Sequence, residues 1–268
     1  MAVKPLSRQA GPPLEARTLC TTSNQTADIA VAVLPVAILL GLILCYRVDS
    51  RFYLAHVLHP HSREYQIVEL ATFVCSLIGS LLMAAAAWRL WRCSPVAPGK
   101  SVPSKLLVRR AGPLLVAVVS LATFFFAGEE ISWGQSYLQW RVPESIKDTM
   151  PETNLHNIHG LPISINSLGS LFLLVVFVFL PIAWRWRKQL GLPTSLAPAI
   201  AEWPIVFGMI VAFLWKLFKS CYVLLVENYE QRQFYIEFVE QINEQKEMLA
   251  AVCLLFYGLY RLSSLRRT

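Results

Sequence analysis

The sequence predicts an all-α fold: a polytopic integral membrane bundle of about six transmembrane helices, with both termini cytoplasmic. Three observations carry this reading. Hydrophobic residues make up 55% of the 268 and charged residues only 15%, with a mean hydropathy of +0.49, which is more apolar side chain than one soluble core of this size needs. The apolar residues gather into runs of roughly membrane-spanning length. Lysine and arginine collect in alternate connecting segments, the asymmetry that orients membrane proteins.

Residues 1–28 are polar and carry Lys4, Arg8 and Arg17, so they form a cytoplasmic tail. The run Ile29 to Tyr46 follows with no small-residue cleavage site behind it and reads as an uncleaved first span. Ile67 to Trp88 is the second, broken only by Glu69 near its start. Residues 92–111, with the Pro/Ser/Lys/Arg stretch CSPVAPGKSVPSKLLVRR, form a basic cytoplasmic loop. The third run, Gly112 to Gly128, is 17 residues long, about 25 Å of helix against roughly 30 Å of hydrocarbon. Its helix is therefore expected to continue through Glu129 and Glu130.

Residues 136–160 form an outer loop containing a short interfacial helix, with Pro151 at its first turn and Gly160 and Pro162 as its stop. Leu161 to Trp184 is a fourth span ending in RWRK, and a fifth lies between Ala197 and Val226. Residues 227–246 are an acidic outer helix leading into the last apolar run, Met248 to Leu262, which has only 15 residues. A spanning helix must therefore recruit Glu244 and Glu247, drawing acids to membrane depth.

With six spans and cytoplasmic termini, fifteen of the 24 basic residues and three of the 17 acids fall on the inner side. The inner side is then +12 and the outer −5, matching the net charge of +7. The basic excess thus reflects topology and gives no reason to expect nucleic acid. All five histidines, at 56, 59, 61, 156 and 159, lie outside. The six cysteines, at 20, 45, 75, 93, 221 and 253, have no CxxC spacing and suggest neither a zinc knuckle nor a disulfide framework.

The outer helix ends collect carboxylates from three spans: Glu69, Glu129 with Glu130, and Glu244 with Glu247. Crowded like charges in a low dielectric need a metal, shared protons or basic partners. On the interfacial helix Glu152, His156 and His159 fall at about 0°, 40° and 340°, a facial set suited to a transition metal or to a two-metal carboxylate site. The competing reading of that face is a wet interfacial surface. Glu129 is the expected central ligand or acid, with Glu130 supporting, because Ser132 and Trp133 share the side of Glu129. Glu247 or Glu69 supplies a general base, Lys216 or Lys219 holds a lipid phosphate, and Trp133, Gln135, Asn154 and Asn157 line the substrate side. No Walker loop, dinucleotide fingerprint, serine elbow, HExxH or HxxxH box is present.

The segments REYQIVELATF, GEEISWGQ and ETNLHN resemble a family of uncharacterised bacterial multi-span membrane proteins. The resemblance covers about two thirds of the chain and falls on Glu69, Gly128 to Glu130, Ser132 to Gln135, Glu152 to Asn154, His156 and Asn157. His159 lies outside the pattern. The resemblance implies a bacterial cytoplasmic membrane and supplies no reaction.

The function expected from these residues is a metal-dependent membrane enzyme, with zinc or iron at an outer Glu/His site. A lipid or lipid-linked substrate is expected, and hydrolysis is one version of the reaction. The alternatives are a proton- or cation-coupled transporter using the same acids, or an accessory subunit that docks a partner chain or a second copy through them.

Overall fold

The computed structural model describes residues 25–57, 67–93, 108, 110–130, 165–223, 238 and 241–265, and all regular structure among them is helical. Six long helices account for most of it: α1 (Gln25–Val48), α2 (Ile67–Cys93), α3 (Ala111–Glu130), α4 (the contiguous segments Ile165–Leu174, Val175–Phe179 and Leu180–Trp184), α5 (Trp203–Val223) and α6 (Ile242–Ser264). Within this set α1, α2, α3 and the Ser167–Trp184 stretch of α4 are long and apolar enough to cross a membrane, which marks the chain as a membrane protein. The tail before residue 25, the acidic segment 227–237 and the outer loop with its interfacial helix lie outside the described residues.

The last helix is the hub. It packs against α2 and α5, while α2 also packs on α3 and α1 on α5. Glycine sets the closest crossing. A Cβ at Gly79 of α2 would lie 3.0 Å from the Leu255 nitrogen, and one at Gly258 of α6 would lie 2.9 Å from the Gly79 carbonyl oxygen. Only a residue without a side chain lets two helix backbones meet this closely, the small-residue logic of membrane helix pairs. Gly208 of α5 plays the same part beside Cys253 Sγ and the Pro35 ring.

Proline explains the irregular turn of α4. Pro181 has no N–H to give the Phe177 carbonyl, and the helix widens just before it, with Leu180 N–H bonding Val175 O across five residues. The widened turn buries Phe177, whose ring meets Tyr257 of α6 edge-on at 5.0 Å.

At the basic end of the bundle, α6 is tied down by polar groups. Arg261 pairs with Glu202 and donates to Pro198 O at 2.7 Å, Tyr257 donates to Ala199 O at 2.8 Å, and Tyr260 donates to Asp28. The 194–199 turn, so held, packs on α3, with the Ser195 carbonyl against Gly112.

Candidate functional site

Three helices converge at the other end. α3 is helical through Glu130, and α6 begins at Ile242, so Glu244 and Glu247 sit in the first turns of a 23-residue helix. Carboxylate oxygens of Glu130, Glu244 and Glu247 all lie within 4.8 Å of one another, and all three residues are half-buried. Spacing on α6 explains two of them: residues three apart share a helix face. Packing explains the third, since both α3 and α6 lie against α2.

A cavity of about 290 Å³ opens beside this cluster between α3, α4 and α6. Its polar rim is Glu129, Glu130, Lys246, Glu247, Ser170 and Thr123, and its walls include Phe125, Phe126, Phe172, Leu173 and Leu254. One end is thus charged and the remainder apolar. Phe125 and Gly169, on facing helices of this cavity, are themselves exposed on the bundle's flank, where hydrocarbon would lie.

The cluster combines like and opposite charges. The groups whose charges act on Glu130 are Glu247, Glu244 and Glu69, opposed by Lys246. Lys246 is 7% exposed, with Nζ 3.3 Å from Glu247 Oε1 and 3.5 Å from Ser170 Oγ. Among the described residues, like charges from three helices thus meet beside Lys246, and such crowding favours a bound cation, shared protons or further basic partners.

A neutral chain of hydrogen bonds fixes the start of α6. Trp215 Nε1 donates to Gln245 Oε1 at 2.7 Å, and Gln245 Nε2 donates to the Tyr53 hydroxyl at 2.9 Å. Tyr53 and Gln245 are fully buried, and burial pushes the Tyr53 phenol above its ordinary range, so it stays neutral. Phe238 packs on Tyr53 and Tyr46 with ring centroids 5.5 and 5.4 Å away. Because Gln245 is adjacent to both Glu244 and Lys246, this lock sets the rotation of the helix turn that carries the site.

The expected residues divide into three groups. Glu69, Glu129, Glu130, Glu244 and Glu247 gather at one end, although it is Glu130 that joins the triplet of carboxylates while Glu129 lines the neighbouring cavity. The 100° step between adjacent helix positions makes that distinction, and the rotation of α3 against α6 decides it. Lys216 is half-buried on α5, within electrostatic reach of Lys246, Glu247 and Lys219. Trp133, Gln135, Glu152, Asn154, His156, Asn157 and His159 lie outside the described residues. Sequence reasoning did not single out Lys246, Ser170, Gln245 or Tyr53. A lysine between two glutamates in a helix approaching the membrane was the available signal for the first. The other three have none, because each meets its partner across the fold.

Four hydroxyls of α2 and α3 donate to backbone carbonyls. Ser80 and Ser120 donate to each other's backbone carbonyls at 2.9 and 2.8 Å, and Thr72 and Thr123 donate to carbonyls four residues back, each at 2.8 Å. Ser76 Oγ is buried without a partner among the described residues.

No family model matches the chain, and no curated protein or solved structure matches it either.

Proposed function

We propose that the chain is a six-span enzyme of the bacterial cytoplasmic membrane, with both termini inside, that binds a divalent metal at its outer end and acts on a lipid or lipid-linked substrate. The observation that carries this reading is the pairing of a carboxylate triplet with a cavity that is charged at one end and apolar elsewhere. Three oxygens within 4.8 Å suit one cation, and an amphiphile can place its polar group at Lys246 and Glu247 with its chain between Phe125, Phe126 and Phe172. Glu130, Glu244 and Glu247 hold the metal, and His156 and Glu152 are the sequence's candidates for the remaining positions. Bound there, a divalent zinc or iron supplies Lewis acidity. Glu129, on the cavity wall, is the candidate to move a proton, with the charge of Glu69 acting on Glu130.

Lys246 takes over the anion-holding part expected of Lys216 or Lys219, because it lines the cavity. Lys216 acts on Lys246 and Glu247 through its charge. Transport through the same acids requires a relay toward the basic end, and the hydroxyls of Ser80, Ser120, Thr72 and Thr123 donate their protons to backbone carbonyls. Ser76 Oγ, buried without a partner among the described residues, is the one α2 hydroxyl not so committed.

Elemental analysis of protein purified in detergent without chelator tests the proposal. Stoichiometric zinc or iron in the wild type, lost in Glu130→Gln and Glu247→Gln, is the expected result. A metal-free wild type overturns it.

A further inference from the structure

A second concavity lies on the opposite flank of α3, between α2 and α3, with a volume of about 580 Å³. Ala84 and Ala117 form its floor, Leu81, Leu121 and Phe124 its upper rim, and Trp88 and Trp91 its basic end. These side chains recur at three- and four-residue steps on both helices, so the groove follows the helix axes. From Pro113 to Phe124 it runs eleven residues, about 17 Å, close to the depth of one leaflet's hydrocarbon.

The basic end is what identifies an occupant. The Arg110 guanidinium lies 3.9 Å over the Trp91 ring and that of Arg92 lies 4.6 Å over Trp88. A guanidinium over an indole face is attracted to the ring while its N–H groups can still bond an anion. The Arg110 Nε is buried and has no hydrogen-bond partner among the described residues. Two guanidiniums, each over a tryptophan that lines the end of an apolar, leaflet-deep groove, complement a phosphate carried on an acyl chain.

We propose that this groove is a binding site for an anionic glycerophospholipid, with one acyl chain along Ala84 and Ala117 and the phosphate on Arg92 and Arg110. It is separate from the carboxylate cluster and does not depend on the metal there. Membranes supply such lipids continuously, so the site is expected to be filled in the native bilayer and emptied by extensive detergent washing.

Native mass spectrometry of delipidated protein with added phosphatidylglycerol or phosphatidylcholine of identical acyl chains tests this. The expected result is a preference of about tenfold for phosphatidylglycerol, collapsing toward parity in the Arg92→Gln/Arg110→Gln double variant. Ala84→Trp, at an exposed position, should fill the groove and reduce retention of both lipids. Equal retention of the two lipids by the wild type overturns the proposal, as does a preference that survives the arginine substitutions. A photo-crosslinker at Ala84 in native membranes should capture lipid, and capture of a second copy of the chain overturns the lipid assignment.

Discussion

The two ends of α6 meet opposite electrostatic conditions. At its C-terminal end Arg261, 7% exposed, is matched by Glu202 and by the Pro198 carbonyl, and Tyr257 and Tyr260 find acceptors at Ala199 and Asp28. Charge there is balanced, and the result is an anchor. At its N-terminal end Glu244 and Glu247 meet Glu130, with Lys246 as the opposing charge. Like charges there meet beside an open cavity. The neutral Trp215–Gln245–Tyr53 chain holds that turn without them. One end thus holds paired charges that anchor α6, and the other brings like charges from different helices together beside a cavity.

Substitutions at the two ends should therefore separate function from stability. The largest effect is expected for Glu130→Gln combined with Glu247→Gln: loss of metal retention and of any metal-dependent activity, with thermal unfolding in detergent unchanged or shifted upward, because repulsion is relieved. Unfolding at a much lower temperature would make the cluster structural and break the contrast. Arg261→Met should do the reverse, leaving metal content intact and destabilising the protein by about 3 kcal/mol, near the lower end for a broken buried pair because Glu202 keeps some access to water. Detergent-dependent unfolding of purified protein measures it.

Gly79→Val probes the crossing on which both ends depend. A side chain there meets α6 backbone atoms at 3.0 to 3.1 Å, so the helices must separate, at a cost of about 2 kcal/mol. Metal retention should weaken in parallel, since α2 packs on both α3 and α6 and their relative placement sets the distance from Glu130 to Glu247. The smallest effect is expected from Tyr53→Phe, which removes one acceptor for Gln245 and should cost about 1 kcal/mol. Its use is as a sharpener: a Tyr53→Phe protein of near-normal stability with weakened metal binding would show that the hydrogen-bond chain positions the cluster.

The sequence by itself determined that the chain is helical and built for a membrane, because run length and apolar content are properties of the chain alone. It also predicted that the helix of the third run continues through Glu129 and Glu130 and that the last helix starts early enough to include Glu244 and Glu247, as it does. The gathering of acids from several helices at one end follows from the same arithmetic. Tertiary structure alone decided that Glu130 joins Glu244 and Glu247 while Glu129 faces the cavity, that Lys246 is the buried cation among them, and that Gln245 joins Trp215 to Tyr53. Spacing fixes a residue's angle about its own helix axis and says nothing of how that helix is turned toward its neighbours. Here the turn is set by where two backbones can touch, at Gly79 and Gly258, and that contact exists only once the chain is folded.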